Sequence, residues 1–452
     1  MRIAIKNGRV IDPRNKIDSN MNVYIVDGKI ENVTCSDLQG DINIFADGLV
    51  VAPGFIDIHM HEEPWEINRP TANYDVLRHM VRMGVTSCIG GNCGQGTKYP
   101  REYLDMLDAA GCPTNLGLMV PHGSIRYRVG CTNPYFKASA EQLGEMAKLI
   151  EESIEAGCFG VSFGLRRCPG SSAEEKIRLA AIAGKYAAYI SAHVRDDGDK
   201  VIESIQEMMD VANAAGVHLQ IAHLGSMAAY GMMGKVVAFI DEKNLKSYRV
   251  GLECYPYDKF CTEISNAIFD EGFLEKYKID FSKIRFAESK FRGQVTTKRA
   301  FAEIRAAYPD TLVIAHVMQQ QEVDMCILHP NTLIASDGSL YLGQGHPRVS
   351  GTFPKFIRDY VVEGKKLSLI EALDKITARP AGLLGLKHKG NLSIGSDADL
   401  VIFDPGAIAD RPSADETPQP PVGINYVILN GQVAVRDGEI IQDNCGRSIR
   451  RK

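Results

Sequence analysis

The sequence predicts an α/β chain, a (β/α)8 TIM-like barrel carrying a small β-sandwich domain built from both chain ends. Three observations lead there. From about residue 53 to 389, short apolar runs alternate with amphipathic helical patterns, the signature of parallel βαβ units. Eight such runs can be counted, the number a closed barrel needs. Residues 1–52 and 390–452 instead read as short strands with tight turns. The two ends are therefore expected to share one small β domain, with the barrel, 53–389, inserted between them.

Taken in order, the N-terminal part offers Ile3-Ala4-Ile5 and Asn22-Val23-Tyr24-Ile25-Val26 as strands, with Asp27-Gly28 as a hairpin turn leading into Lys29-Ile30. The same style returns late in Asp399-Leu400-Val401-Ile402-Phe403. It continues in the hairpin Tyr426 to Leu429, Asn430-Gly431, Gln432 to Val435, with a second turn at Asp437-Gly438. The barrel strands are expected at Phe55–Ile58, Val85–Ile89, Leu116–Val120, Gly160–Phe163, Tyr189–Ala192, Leu219–Ala222, Leu252–Tyr255 and Leu333–Ser336. Helical patterns such as Ala140 to Glu155 and Asp199 to Ala215 place apolar residues three and four apart and close near Gly157 and Gly216. A ninth strand-like run, Leu312 to His316, is either an inserted strand or the true seventh.

Composition excludes several function classes. A net charge of -5 leaves no basic footprint for nucleic acid. No uninterrupted apolar run approaches the roughly 18 residues that span a bilayer, so no membrane partner is expected. The start, 1–6, alternates like a strand and has no signal-peptide apolar region, which points to the cytoplasm. The 11 cysteines are odd in number and scattered, unlike a disulfide framework.

The chemistry gathers at the expected carboxyl ends of the strands, where barrel enzymes keep their active sites. In Gly54-Phe55-Ile56-Asp57-Ile58-His59-Met60-His61 an apolar run ends in two imidazoles two residues apart, and on a strand such residues share a face. After the second strand comes Gly90-Gly91-Asn92-Cys93-Gly94, after the fifth His193, after the sixth His223, after the eighth Asp337. Any one alone is more often structural; their phase along the barrel points to a metal site. Imidazole and thiolate ligands suit zinc over magnesium or calcium. Asp337 is expected to touch the metal and to act as the general acid/base, because zinc lowers the pKa of water to about 7 and a carboxylate beside it can take and return the proton.

At this point the residues resemble a known family. Pro53 to His61 is similar to the first-strand signature of the amidohydrolase superfamily, and Gly395-Ser396-Asp397-Ala398-Asp399-Leu400-Val401-Ile402-Phe403 resembles its re-entry into the small β domain. The fourth strand, Val161-Ser162-Phe163-Gly164, lacks the metal-bridging lysine of hydantoinases and dihydroorotases. Gly91-Asn92-Cys93-Gly94 instead resembles the D-aminoacylase (N-acyl-D-amino-acid deacylase) branch. So do His193 to Asp199, Tyr255-Pro256-Tyr257, Ser336-Asp337-Gly338 and His346 to Pro354. The resemblance implies a tightly held zinc on Cys93, His193 and His223. It implies a second, often weaker position at His59 and His61, with Cys93 between the two. It also implies Arg348 on a substrate carboxylate and a hydroxyl donor at Tyr255 or Tyr257. The branch often carries a lysine two residues after the sixth-strand histidine; Gly225 stands there, with Arg195 and Lys259 nearby in the motifs.

The expected activity is zinc-dependent hydrolysis of an N-acyl-D-amino acid to a carboxylate and a D-amino acid. The partner is a small molecule bearing a carboxylate. A cyclic amidase and a metal-free scaffold protein are the alternatives. The sequence leaves the acyl group, the side chain, the oligomeric state and the number of zinc ions open.

Overall fold

The computed structural model describes residues 2–67, 69–246, 248–287, 289–291, 296–411 and 418–452, so Met1 lies outside the described residues. Eight parallel strands line the barrel: β1 Phe55–Asp57, β2 Val85–Gly90, β3 Asn115–Leu118 (continued by Val120–Pro121), β4 Gly160–Gly164, β5 Tyr189–His193, β6 Leu219–Ile221, β7 Val250–Cys254 and β8 Thr332–Ile334. One sheet runs β8-β7-β6-β5-β4 to Val120–Pro121, and a second runs β1-β2-β3. The ring closes where the Asp337 amide donates to the His59 carbonyl (2.8 Å) and the His61 amide to the Gly338 carbonyl (2.9 Å). Closure therefore happens at the candidate ligands themselves. Both faces of these strands are covered, which is why they read as continuous apolar runs rather than alternating ones.

The expected helix Ala140–Glu155 is present with those bounds. Ser139 caps it in a capping box with Gln142, so two otherwise unsatisfied amides are paired. The pattern from Asp199 splits into a short 3-10 turn, Gly198–Lys200, and the helix Val201–Ala215, which ends on a left-handed Gly216.

The run Leu312 to His316 is an inserted strand, not the seventh barrel strand. Leu312–Ala315 is the middle of a three-stranded antiparallel sheet between Phe260–Glu263 and Ile284–Phe286. This insert lies between β7 and β8, and its helical part rests on a cluster of Phe269, Phe273, Phe281 and Phe301. Its importance is positional: Phe260–Glu263 overhangs the mouth of the barrel.

Strands from both chain ends join one nine-stranded sheet in which Val50–Pro53 pairs with Leu400–Phe403 and with Arg2–Asp12. The sheet curls around a core that includes Ile3, Ile25, Val51, Leu400 and Ile428. Two of its hairpins meet: a Cβ added at Gly431 would fall 2.5 Å from the Gly28 Cα. Both turns hold two consecutive positive-φ residues, Asp27-Gly28 and Asn430-Gly431, the geometry that matches strand twist. Beyond the sheet, Gly446 pairs with Cys112 and Ser448 with Leu116, and Ile449 packs against the barrel interior with Phe159 and Tyr189. Among the described residues no helix is long and apolar enough to cross a membrane.

Candidate metal centre and active site

The loop after β2 carries Cys93 in a left-handed conformation (φ 52°), flanked by Gly91 and Gly94 with φ near 70°. Glu62 and Ser162 help to hold it. The Glu62 carboxylate accepts from the amides of Gly91 (2.6 Å) and Thr97 (3.0 Å). Ser162 of β4 donates to the Gly91 carbonyl and accepts from the Gly94 amide (3.1 Å). The strand that lacks a lysine thus supports the thiol loop instead.

Cys93 Sγ lies 3.3 Å from His59 Nε2 and 3.2 Å from His223 Nε2. Asp337 Oδ1 lies 3.5 Å from His59 Nε2 and 3.1 Å from His61 Nε2. One ligand atom from each of His59, Cys93, His223 and Asp337 falls within 4.8 Å of all the others. The His193 ring stands edge-on to His223, centroids 4.6 Å apart, and the His61 ring is 5.4 Å from His59. All six expected ligands therefore meet at one place. The compact group is His59, Cys93, His223 and Asp337, with His61 and His193 on its two flanks.

Local contacts orient the rings. The Ser226 hydroxyl donates to the His223 carbonyl and bonds to Nδ1 (2.8 Å), so Nε2 of His223 is left facing the sulfur. His59 Nδ1 bonds to the Glu253 carboxylate, leaving its Nε2 facing the same point. Burial holds His59 down to about 3 and His223 down to about 4, so both rings are in the neutral form that a ligand needs. Burial likewise pushes Glu253 up to about 8, with the His223 ring and backbone amide acting the other way. Burial also pushes the Cys93 thiol well above its ordinary range; a nearby cation is what releases such a proton. For Asp337 burial alone would act upward, but the Arg348 guanidinium, His223 and the bond from His61 hold the carboxyl well below the usual range. Two bare Nε2 atoms, one thiol and one carboxylate are a donor set that fits zinc.

The cluster opens into a cavity of about 750 Å³. Arg348 lies on its wall, buried, with Nη2 3.0 Å from Asp337 Oδ2, and its Nε has no hydrogen-bond partner among the described residues. The two tyrosines do not behave as expected. Neither lines the cavity. Tyr257 turns its hydroxyl to Asp410 (3.2 Å) and packs its ring on His346. Tyr255 lies beneath Arg348, with the guanidinium carbon 4.9 Å above the ring. Arg195 is also directed away, held by Glu207 (2.8 and 2.9 Å). A side chain at Gly225 would meet Cys254 Sγ at 2.9 Å and Met318 Cε at 3.0 Å, so the place of the family's lysine is already filled.

Sequence reasoning missed Glu253, Arg166 and Arg167. Arg167 lines the cavity and bridges to Glu263 of the insert (3.0 Å); Arg166 reaches Asp196 (3.0 Å). The signal available for Glu253 was a lone acid inside an apolar strand, Val250–Cys254, which is costly without a buried partner.

Amidohydrolase family models match residues 50–246 and 331–435, covering the first six barrel strands and the return through the eighth strand into the sheet. The N-acyl-D-glutamate deacylase of Alcaligenes xylosoxydans xylosoxydans is 29% identical over 95% of this chain and 92% of its own length. The D-aminoacylase of the same organism is 26% identical over 99% and 97%. The chain belongs to the amidohydrolase superfamily, in its D-aminoacylase branch. Among solved structures, the zinc and phosphonate complex of N-acyl-D-glutamate deacylase from Bordetella bronchiseptica superposes on this D-aminoacylase-branch barrel with a TM-score of 0.84, at 24% identity and 99% coverage of each chain.

Proposed function

We propose that the chain is a zinc-dependent hydrolase of linear N-acyl-D-amino acids, releasing a carboxylate and a D-amino acid. The observation that carries this is the cluster of His59, Cys93, His223 and Asp337 opening into a cavity that also presents Arg348. His59, His61, Cys93, His193 and His223 would hold the metal, with Asp337 touching it. Zinc bound there supplies a charge that polarises the amide carbonyl and makes water acidic enough to attack near pH 7.

The chain's own residues supply the rest. Asp337, held ionised beside Arg348, accepts the proton of the attacking water and returns it to the departing nitrogen. Arg348 on the cavity wall offers a planar fork to the substrate carboxylate. The named relatives support this reading. A cyclic amidase is disfavoured by the fourth strand, where Ser162 is engaged with the Cys93 loop.

The test is hydrolysis of N-acetyl- and N-formyl-amino acids of both hands, beside hydantoin and dihydroorotate, by zinc-loaded and chelator-treated protein. Turnover of the D-acyl set that disappears with chelation is expected. Turnover confined to the cyclic amides would overturn the proposal.

A further inference from the structure

Glu253 is a residue of the centre that no expectation included. It stands on β7 with its side chain 2% exposed, and one oxygen, Oε1, serves two donors. His59 Nδ1 bonds to it, and so does the His223 backbone amide at 3.3 Å. As a carboxylate Oε1 can only accept, so His59 Nδ1 then carries the hydrogen. That selects the one tautomer of His59 whose Nε2 is bare towards Cys93 Sγ (3.3 Å) and Asp337 Oδ1 (3.5 Å). The second bond acts on a residue with φ of 31°, a left-handed backbone that a β-carbon disfavours. The bond gives the amide of that residue a buried partner. The two rings flank the same sulfur and come from strands far apart in the chain, β1 and β6.

We infer that Glu253 is the positioning residue of the metal centre: a single buried acceptor that fixes the His59 tautomer and the His223 backbone together, and so sets zinc affinity. It touches neither substrate nor reacting atoms. The inference rests on the metal reading of the cluster given above and adds the group that makes the cluster rigid. Buried acceptors of this kind, when removed, cost metal affinity by roughly 10- to 100-fold.

The test compares Glu253→Leu, which removes the acceptor at similar size, with Glu253→Gln, whose amide oxygen can still accept both bonds. Zinc dissociation constants are measured by competition with a chromophoric chelator on proteins whose metal-free thermal melts show a single cooperative transition. Glu253→Leu should bind zinc roughly 10- to 100-fold more weakly, and Glu253→Gln within about fivefold of the parent, rescuing the loss. Should Glu253→Leu fail to fold, 15N spectra of the zinc-loaded parent and Glu253→Gln decide: both should show His59 protonated at Nδ1. Parent-like affinity in Glu253→Leu, equal weakness in both variants, or His59 protonated at Nε2 would each overturn the inference. A parent protein that binds no zinc would sink the metal reading itself, a separate outcome.

Discussion

Arg348 Nη2 lies 3.0 Å from Asp337 Oδ2 in a place where both side chains are buried. In the proposed mechanism the pair joins a group that moves a proton to one that grips an anion. Asp337 Oδ2 faces Arg348 and Oδ1 faces the imidazoles. Lysine in place of Arg348 would hold the charge but not the fork, so Arg348→Lys should lower kcat/KM on an N-acyl-D-amino acid by roughly 100-fold with zinc content unchanged. Steady-state kinetics and elemental analysis on the same preparation check this, and an unchanged kcat/KM would remove Arg348 from the substrate site.

Asp337→Asn keeps the shape and one oxygen but cannot accept the proton. Zinc should stay largely bound while kcat falls by roughly 10²- to 10⁴-fold, the range expected for loss of a general acid/base. Parent-like turnover would show that another group moves the proton.

The thiol should be sensitive to its loop as well as to its own replacement. A Cβ at Gly164 would fall 2.0 Å from the Cys93 carbonyl oxygen, a backbone atom that cannot swing aside. Gly164→Ala should therefore displace the loop, lower the melting temperature and reduce zinc stoichiometry. Cys93→Ala should reduce zinc stoichiometry with a near-parent melt of the metal-free protein, since little packing is lost. Full zinc occupancy in both would count against Cys93 as a ligand.

Away from the site, Lys375 is buried, donates to the carbonyls of His329 (2.8 Å) and Thr332 (3.0 Å), and is pushed down to about 8 by burial. The unfolded chain keeps that proton until about pH 10.4. Between these values the unfolded state binds more protons, so this group makes stability rise with pH, by at most about 1.4 kcal/mol per pH unit. In urea unfolding from pH 7.5 to 10.5, the parent curve should climb relative to that of Lys375→Met through this window. Parallel curves would show that Lys375 does not titrate there.

Much of this was legible one residue at a time. His59 and His61 follow an apolar run, Cys93 sits among glycines, and His193, His223 and Asp337 each end a predicted strand, because parallel strands put their functional residues at one end and repeat that placement every βα unit. Leu312–Ala315 was not separable from a barrel strand, since a buried antiparallel strand and a buried parallel one have the same apolar content. The tyrosines failed for a related reason. Tyr255 and Tyr257 lie two apart, but β7 ends at Cys254, and beyond a strand end the alternation of faces no longer holds.

The sequence alone determined which ligand types the chain carries, how many βα units it builds, and that both ends contribute strands, because these follow from local pattern and residue chemistry. Tertiary structure decided which ligands touch, that Glu253 and Ser226 aim the rings, that Arg167 reaches across to the insert, and that Gly225 is walled in by Cys254 and Met318. Those are distances between atoms far apart in the chain. They are set by how the strands close and how the insert lies over the mouth, and no periodicity encodes them.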